Sequence, residues 1–179
     1  GVGFVLGSVV SLALFSLIPF IAMMATSFVK LAVVFSLLRN ALGVQQIPPN
    51  MALYGLAIIL SIFIMAPVGF ETYDYVTQHE ISLEDSESIE GLIESGLQPY
   101  REFLKKHIRE TDSVFFTDAA RALWPQKYVE RLETDSLLLL LPAFTVSELT
   151  RAFEIGFLLY LPFIAIDLIV SNILLAMGM

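Results

Sequence analysis

Apolar and polar positions are not interleaved evenly along this chain; they come in blocks. No charged residue occurs from Val2 to Val29, and none from Asn40 to Phe70. A bilayer core of about 30 Å takes roughly 20 apolar helical residues, and both stretches supply that. The first apolar run, Ser8 to Leu38, is longer than one perpendicular span. It must tilt, extend beyond the lipid, or bend near Pro19, whose missing N–H breaks the helical ladder. Arg39, Asn40, Gly43 and Pro48-Pro49 then stop it, because consecutive prolines cannot continue a helix. Met51 to Phe70 is a second span, with Gly55, Pro67 and Gly69 as soft points. Residues 1–70 therefore read as an apolar helical hairpin. A last apolar block, residues 137–179, opens with Leu137 to Leu141, is expected to break at Pro142, and is interrupted again at Pro162.

Residues 71–136 follow another pattern. Ile89, Leu92 and Ile93 share one face of a short Glu-rich helix. Tyr100, Phe103, Leu104 and Ile108 recur at helical spacing after Pro99, which suits a first turn. Glu102 precedes Lys106 by four residues, the favourable order for a surface pair worth about 0.3 kcal/mol. Asp112 or Ser113 is placed to cap a further helix carrying Phe115, Phe116, Ala119 and Leu123, ended by Trp124-Pro125. Phe115, Phe116 and Trp124 are expected to pack as a small core, with a docking face as the alternative. The expected architecture is all-α: two apolar membrane-type helical blocks around an inserted polar helical domain.

Composition sharpens this picture. Hydrophobic residues make up 56% and charged residues 16%, with a mean hydropathy of +0.76. Soluble domains carry about 25% charged residues, so an ordinary soluble globule and a disordered chain are both excluded. The absence of cysteine excludes a disulfide scaffold, thiol catalysis and thiolate metal sites. The net charge of −8 resides in the polar block, where residues 71–135 hold 15 acidic and 7 basic side chains. Elsewhere Lys30, Arg39 and Arg151 balance Glu148, Glu154 and Asp167. An acidic chain without a basic cluster is a poor partner for nucleic acid. By the positive-inside rule, Arg39 belongs on the cytoplasmic side and residues 71–136 outside.

Catalytic chemistry finds no foothold. His79 and His107 are isolated, no acid spacing suggests zinc or calcium, and no phosphate-cradling glycine loop occurs. Tyr73-Asp74 looks like half of an intramembrane aspartyl protease site, but no Gly-x-Gly-Asp partner follows. Ser27, Ser36 and Ser61 have no base and are expected to bond the preceding helical turn. The expectation is a non-enzyme with no cofactor and no metal. Charges within apolar segments are the remaining signal, since each costs several kcal/mol in hydrocarbon unless paired. Lys30, Arg39, Glu148, Arg151, Glu154 and Asp167 are thus candidates for buried or inter-subunit ion pairs.

Two long stretches carry a resemblance. SFVKLAVVFSLLRNALGVQQIPPN, residues 27–50, resembles the signature of the FliP/SctR family of type III secretion export-gate proteins. LPAFTVSELTRAFEIG, residues 141–156, is similar to that family's second signature, and YLPFIAID (160–167) and NILLAMGM (172–179) continue it. Lys30 and the VQQIPP wording look like the virulence-injectisome branch. The resemblance implies a pore-forming core subunit that passes unfolded proteins across the bacterial inner membrane. It implies a pentamer-like helical ring with FliQ/SctS-like, FliR/SctT-like and FlhB/SctU-like subunits, the polar block lying on the periplasmic side. It also implies apolar hairpins lifted above the lipid plane, with Pro19, Pro67 and Pro162 bending the wedge-shaped subunit. Met177 and Met179 match the start of the family's methionine-rich gasket; an unbranched, polarizable thioether can seal a pore yet repack around many side chains. The chain is expected to continue past Met179, and Gly1 suggests a trimmed start. A flagellar counterpart, a stand-alone ion or solute transporter and a membrane-bound hydrolase are the competing readings.

Overall fold

A computed structural model of the chain describes residues 1–43, 47–78, 91 and 94–179, and among them every regular element is a helix. In chain order these are α1 (Val2–Met24), α2 (Phe28–Ala41), α3 (Asn50–Gln78), α4 (Gln98–His107), α5 (Glu110–Leu123), α6 (Gln126–Val129) and α7 (Leu137–Ala176). The expected helix through Ile89, Leu92 and Ile93, and the position of His79, lie outside the described residues.

The first apolar run is two helices, and its break does not fall at Pro19. That residue sits inside α1, where its missing N–H forfeits a single bond. The chain turns instead over Ala25–Ser27. There Thr26 Oγ1 accepts the Phe28 N–H at 3.3 Å and donates to Ala22 O at 2.7 Å. A hydroxyl that serves backbone groups on both sides offers the chain an alternative to the helical ladder.

Beyond the turn, α2 and α3 form an antiparallel hairpin. Phe28 and Tyr54 stack at a tilt with ring centroids 6.4 Å apart, and at the far end Arg39 Nη1 donates to Asn50 Oδ1. Leu53, Ala57 and Ser61, four residues apart on α3, form its buried stripe, as a 3.6-residue repeat requires. Ser61 donates to Thr26 Oγ1 at 3.3 Å rather than to its own preceding turn, so this serine fastens α3 to the α1–α2 turn. α3 also runs eight residues beyond Phe70, to Gln78.

α7 is the scaffold. It is one helix of 40 residues, and both Pro142 and Pro162 lie within it, so neither proline ends it as expected. Each proline removes one N–H donor from the ladder, and at Pro142 packing holds the segment. Leu140 and Phe144 bury against Leu104 of α4, with Tyr100, Phe103, Ile108, Leu137 and Leu141 around them. α4 starts with Pro99 in its first turn and presents the apolar face that its spacing predicts. α2 lies parallel to α7. They pack tightly at Gly156, where an added Cβ would sit 2.3 Å from Leu37 Cδ1 and 3.1 Å from its Cβ, so a larger residue there would displace the Leu37 side chain.

The polar block holds further departures. α5 begins at Glu110 with Arg109 as its flanking residue, which leaves Asp112 in the first turn and not at the cap. Its buried residues are Asp112 and Ala120; Phe115 and Leu123 face outward, whereas Phe116 and Trp124 are half-buried and Phe116 meets Phe115 edge-on at 5.1 Å. Glu102 pairs with Lys105 at 3.6 Å and accepts from Gln98 at 2.9 Å, in place of the expected pair with Lys106.

α1, α3 and α7 are each long and apolar enough to cross a membrane. No residue of α1 is buried, nor any residue of α7 beyond Gly156.

Candidate functional site

The charged residues near the middle of the molecule converge where α2, α7 and the α4–α5 junction meet. Glu148, on α7, is fully buried. Lys30 of α2 brings its Nζ within 3.1 Å of Glu148 Oε2. This approach is electrostatic, as Oε2 receives no hydrogen bond. Arg151, one turn further along α7, places Nη1 3.3 Å from Glu148 Oε1 and donates from the same atom to the His107 carbonyl at the end of α4. Helical spacing dictates this arrangement: residues three apart face the same way, so Glu148, Arg151 and Glu154 form one stripe.

A second cluster adjoins the first. Arg109 grips Asp112 in bidentate fashion, Nε to Oδ2 at 2.8 Å and Nη2 to Oδ1 at 3.2 Å. Ser147 donates to Asp112 Oδ2 at 2.7 Å and accepts the Arg109 backbone N–H at 3.0 Å. Arg109 Nη1 also lies 3.7 Å from Glu154 Oε1. Hydrogen bonding from the Arg109 guanidinium, reinforced by Ser147, holds the Asp112 carboxyl below the usual carboxylate range against the opposing effect of burial. The N-terminus of α5 adds a favourable dipole for that negative charge.

Together Lys30, Arg109 and Arg151 meet Asp112, Glu148 and Glu154, so the set is electrically neutral. Two of the six, Arg109 and Asp112, come from the polar block, and spacing alone gave no reason to join them to Ser147. The one local signal was the separation of three between Arg109 and Asp112. Arg39 stands apart: it bonds Pro48 O and Asn50 Oδ1 and closes the α2–α3 connection. Asp167 is exposed in the distal half of α7, among uncovered apolar side chains. Ser147 donates to an Asp112 carboxylate that Arg109 already grips, and among the described residues no group of His, Asp and Glu could hold a metal ion. Its chemistry is that of a lock between three helices.

The end of α7 is a second feature. Gly178 adopts φ +78°; its N–H bonds Leu175 O at 3.1 Å, and that of Met179 bonds Leu174 O at 2.9 Å. This is the Schellman pattern, in which a left-handed glycine satisfies the last carbonyls of a helix. Met177 and Met179 flank the reversal, and both are largely exposed. Pro19, Pro67 and Pro162 all lie inside the three long apolar helices.

Comparison with known proteins supplies the family. The model of the FliP family matches residues 11–179. The chain belongs to the FliP family. It is 67% identical to the Yop proteins translocation protein R of Yersinia pestis over 171 residues, covering 96% of this chain and 79% of that protein. It is also similar to the virulence protein YscR of Salmonella typhimurium, at 52% identity over 94% of this chain and 78% of the relative. The hypersensitivity response secretion protein HrcR of Ralstonia nicotianae shares 48% identity over 92% and 76% of the two chains. Both signature stretches and the whole charge network fall within the matched region.

Proposed function

We propose that this FliP-family chain is a pore-forming core subunit of a type III secretion export gate of the virulence-injectisome branch, passing unfolded proteins across the bacterial inner membrane. The observation that carries the reading is the contrast along α7. Its first half is locked into the subunit by a neutral charge network, and its distal half is bare, apolar and tipped with methionine. A helix of this kind is built to be covered by other chains. In this reading the subunits form a homo-oligomeric ring with FliQ/SctS-like, FliR/SctT-like and FlhB/SctU-like partners. Residues 71–136 lie on the periplasmic side of a multi-pass protein, and no catalytic step occurs here.

Met177 and Met179, held at the Schellman turn, line the closed constriction. Thioethers adapt to varied passing side chains better than branched residues do. The ion pairs of Lys30, Arg109 and Arg151 set the wedge shape of the subunit. Arg39 keeps the α2–α3 connection closed, and Asp167 is left for a neighbouring subunit. The names of the relatives, a translocation protein, a virulence protein and a hypersensitivity secretion protein, favour the injectisome over the flagellum.

The test is co-expression with the candidate partner subunits followed by native mass measurement. A discrete particle holding several copies of this chain is the expected result. A stable solitary chain that conducts ions or solutes by itself in vesicles overturns the proposal.

A further inference from the structure

The turn between α1 and α2 is held from outside, by side chains far away in sequence. Tyr100 of α4 donates its hydroxyl to Ala25 O, and Thr145 of α7 donates to Met24 O at 3.2 Å. These carbonyls belong to the C-terminal end of α1, where the last four have no partner within the helix. A side-chain hydroxyl that takes up such a carbonyl ties the helix end to the element that supplies it. The two fasteners are not equivalent. Thr145 Oγ1 also reaches Leu141 O of its own helix at 3.0 Å, and its single proton can move to that acceptor. Tyr100 has no second acceptor among its described hydrogen bonds.

The rest of α1 has little packed against it. None of its residues is buried, and beside its base open two apolar crevices, of 330 and 460 Å³, both lined by Thr26 and Met65. Open space of this size at the foot of a helix leaves room for the helix to pivot.

We propose that Tyr100 and Thr145 form a two-point clamp on the α1–α2 elbow, through which the polar block sets the direction of the α1 arm. Tyr100 is a positioning residue: with it in place the arm holds one direction, and without it the arm swings about Ala25–Ser27 while the remaining helices keep their places. This coupling stands apart from the pore reading and does not depend on it.

The native absence of cysteine makes the test direct on the full chain in detergent. One spin-label pair, on Leu12→Cys and Phe63→Cys, reports the arm against α3. A control pair, on Met51→Cys and Phe157→Cys, reports α3 against α7. Combining Tyr100→Phe with Thr145→Val is expected to broaden the arm distribution about twofold, as a pivot gains populated states, and to leave the control unchanged. Thr145→Ser, which keeps the hydroxyl, is expected to match the parent chain. An arm distribution unaffected by the double change overturns the proposal, as does equal broadening of both pairs.

Discussion

Glu148 is the residue on which most of the internal polarity depends. It is wholly buried and serves both Lys30 and Arg151. Removing one partner of a buried pair costs about 3–5 kcal/mol, because the surviving charge is stranded. Glu148→Ala is therefore expected to lower the thermal midpoint far more than Lys30→Met, which leaves Glu148 its bond from Arg151; differential scanning of the detergent-solubilised chain checks the order. Asp112 gives a pH prediction. Its native carboxyl is held below the usual range, so its stabilisation is complete above the unfolded value near 3.9 and is lost as pH falls through the lower native value. Trp124, the single tryptophan, follows α5 and reports this release by fluorescence. Undocking in acid is expected in the parent chain, and Asp112→Asn should flatten the acid limb. A steep acid limb that survives the substitution removes Asp112 from the explanation.

Among the elements, α7 makes the largest demand. Forty residues at 1.5 Å each extend about 60 Å, twice the thickness of a hydrocarbon core, so the helix cannot lie wholly in lipid without extreme tilt. Its proximal half rests on α2, with Gly156 against Leu37. Gly156→Leu is expected to force α2 and α7 apart and to make Lys30 more reactive towards an amine-selective reagent; unchanged labelling would place the weight of that crossing elsewhere. Much of this architecture is legible in the sequence. The apolar blocks, the α4 face behind Pro99 and the stripe through Glu148, Arg151 and Glu154 all follow from periodicity. What escaped was decided by tertiary partners. Pro142 stays helical because Leu140 and Phe144 pack beside Leu104, and the turn at Thr26 outcompetes Pro19 through a hydroxyl that contacts three elements of backbone and side chain. The union of Arg109 and Asp112 with Ser147 spans about forty residues of chain, and no local rule reaches that far.

For the whole molecule, the apolar surface of α1 and distal α7 decides behaviour. An ionised carboxylate such as Asp167 in that setting costs several kcal/mol unless protein or water meets it, so charge reversal there acts on association and leaves the fold alone. Asp167→Lys is expected to abolish the multi-copy particle on native mass measurement while preserving helical content by circular dichroism. A particle of normal mass would show that this side chain takes no part in assembly.

The pairing of Lys30 with Glu148 also has a consequence in time. The two residues are separated by 117 others in the chain, and at about 5–20 residues per second a ribosome takes roughly 6–24 s to cover that distance. Through that interval a newborn α2 carries its lysine without the carboxylate that it meets in the folded subunit. The Lys30–Glu148 pair can therefore close only once most of the chain has been made.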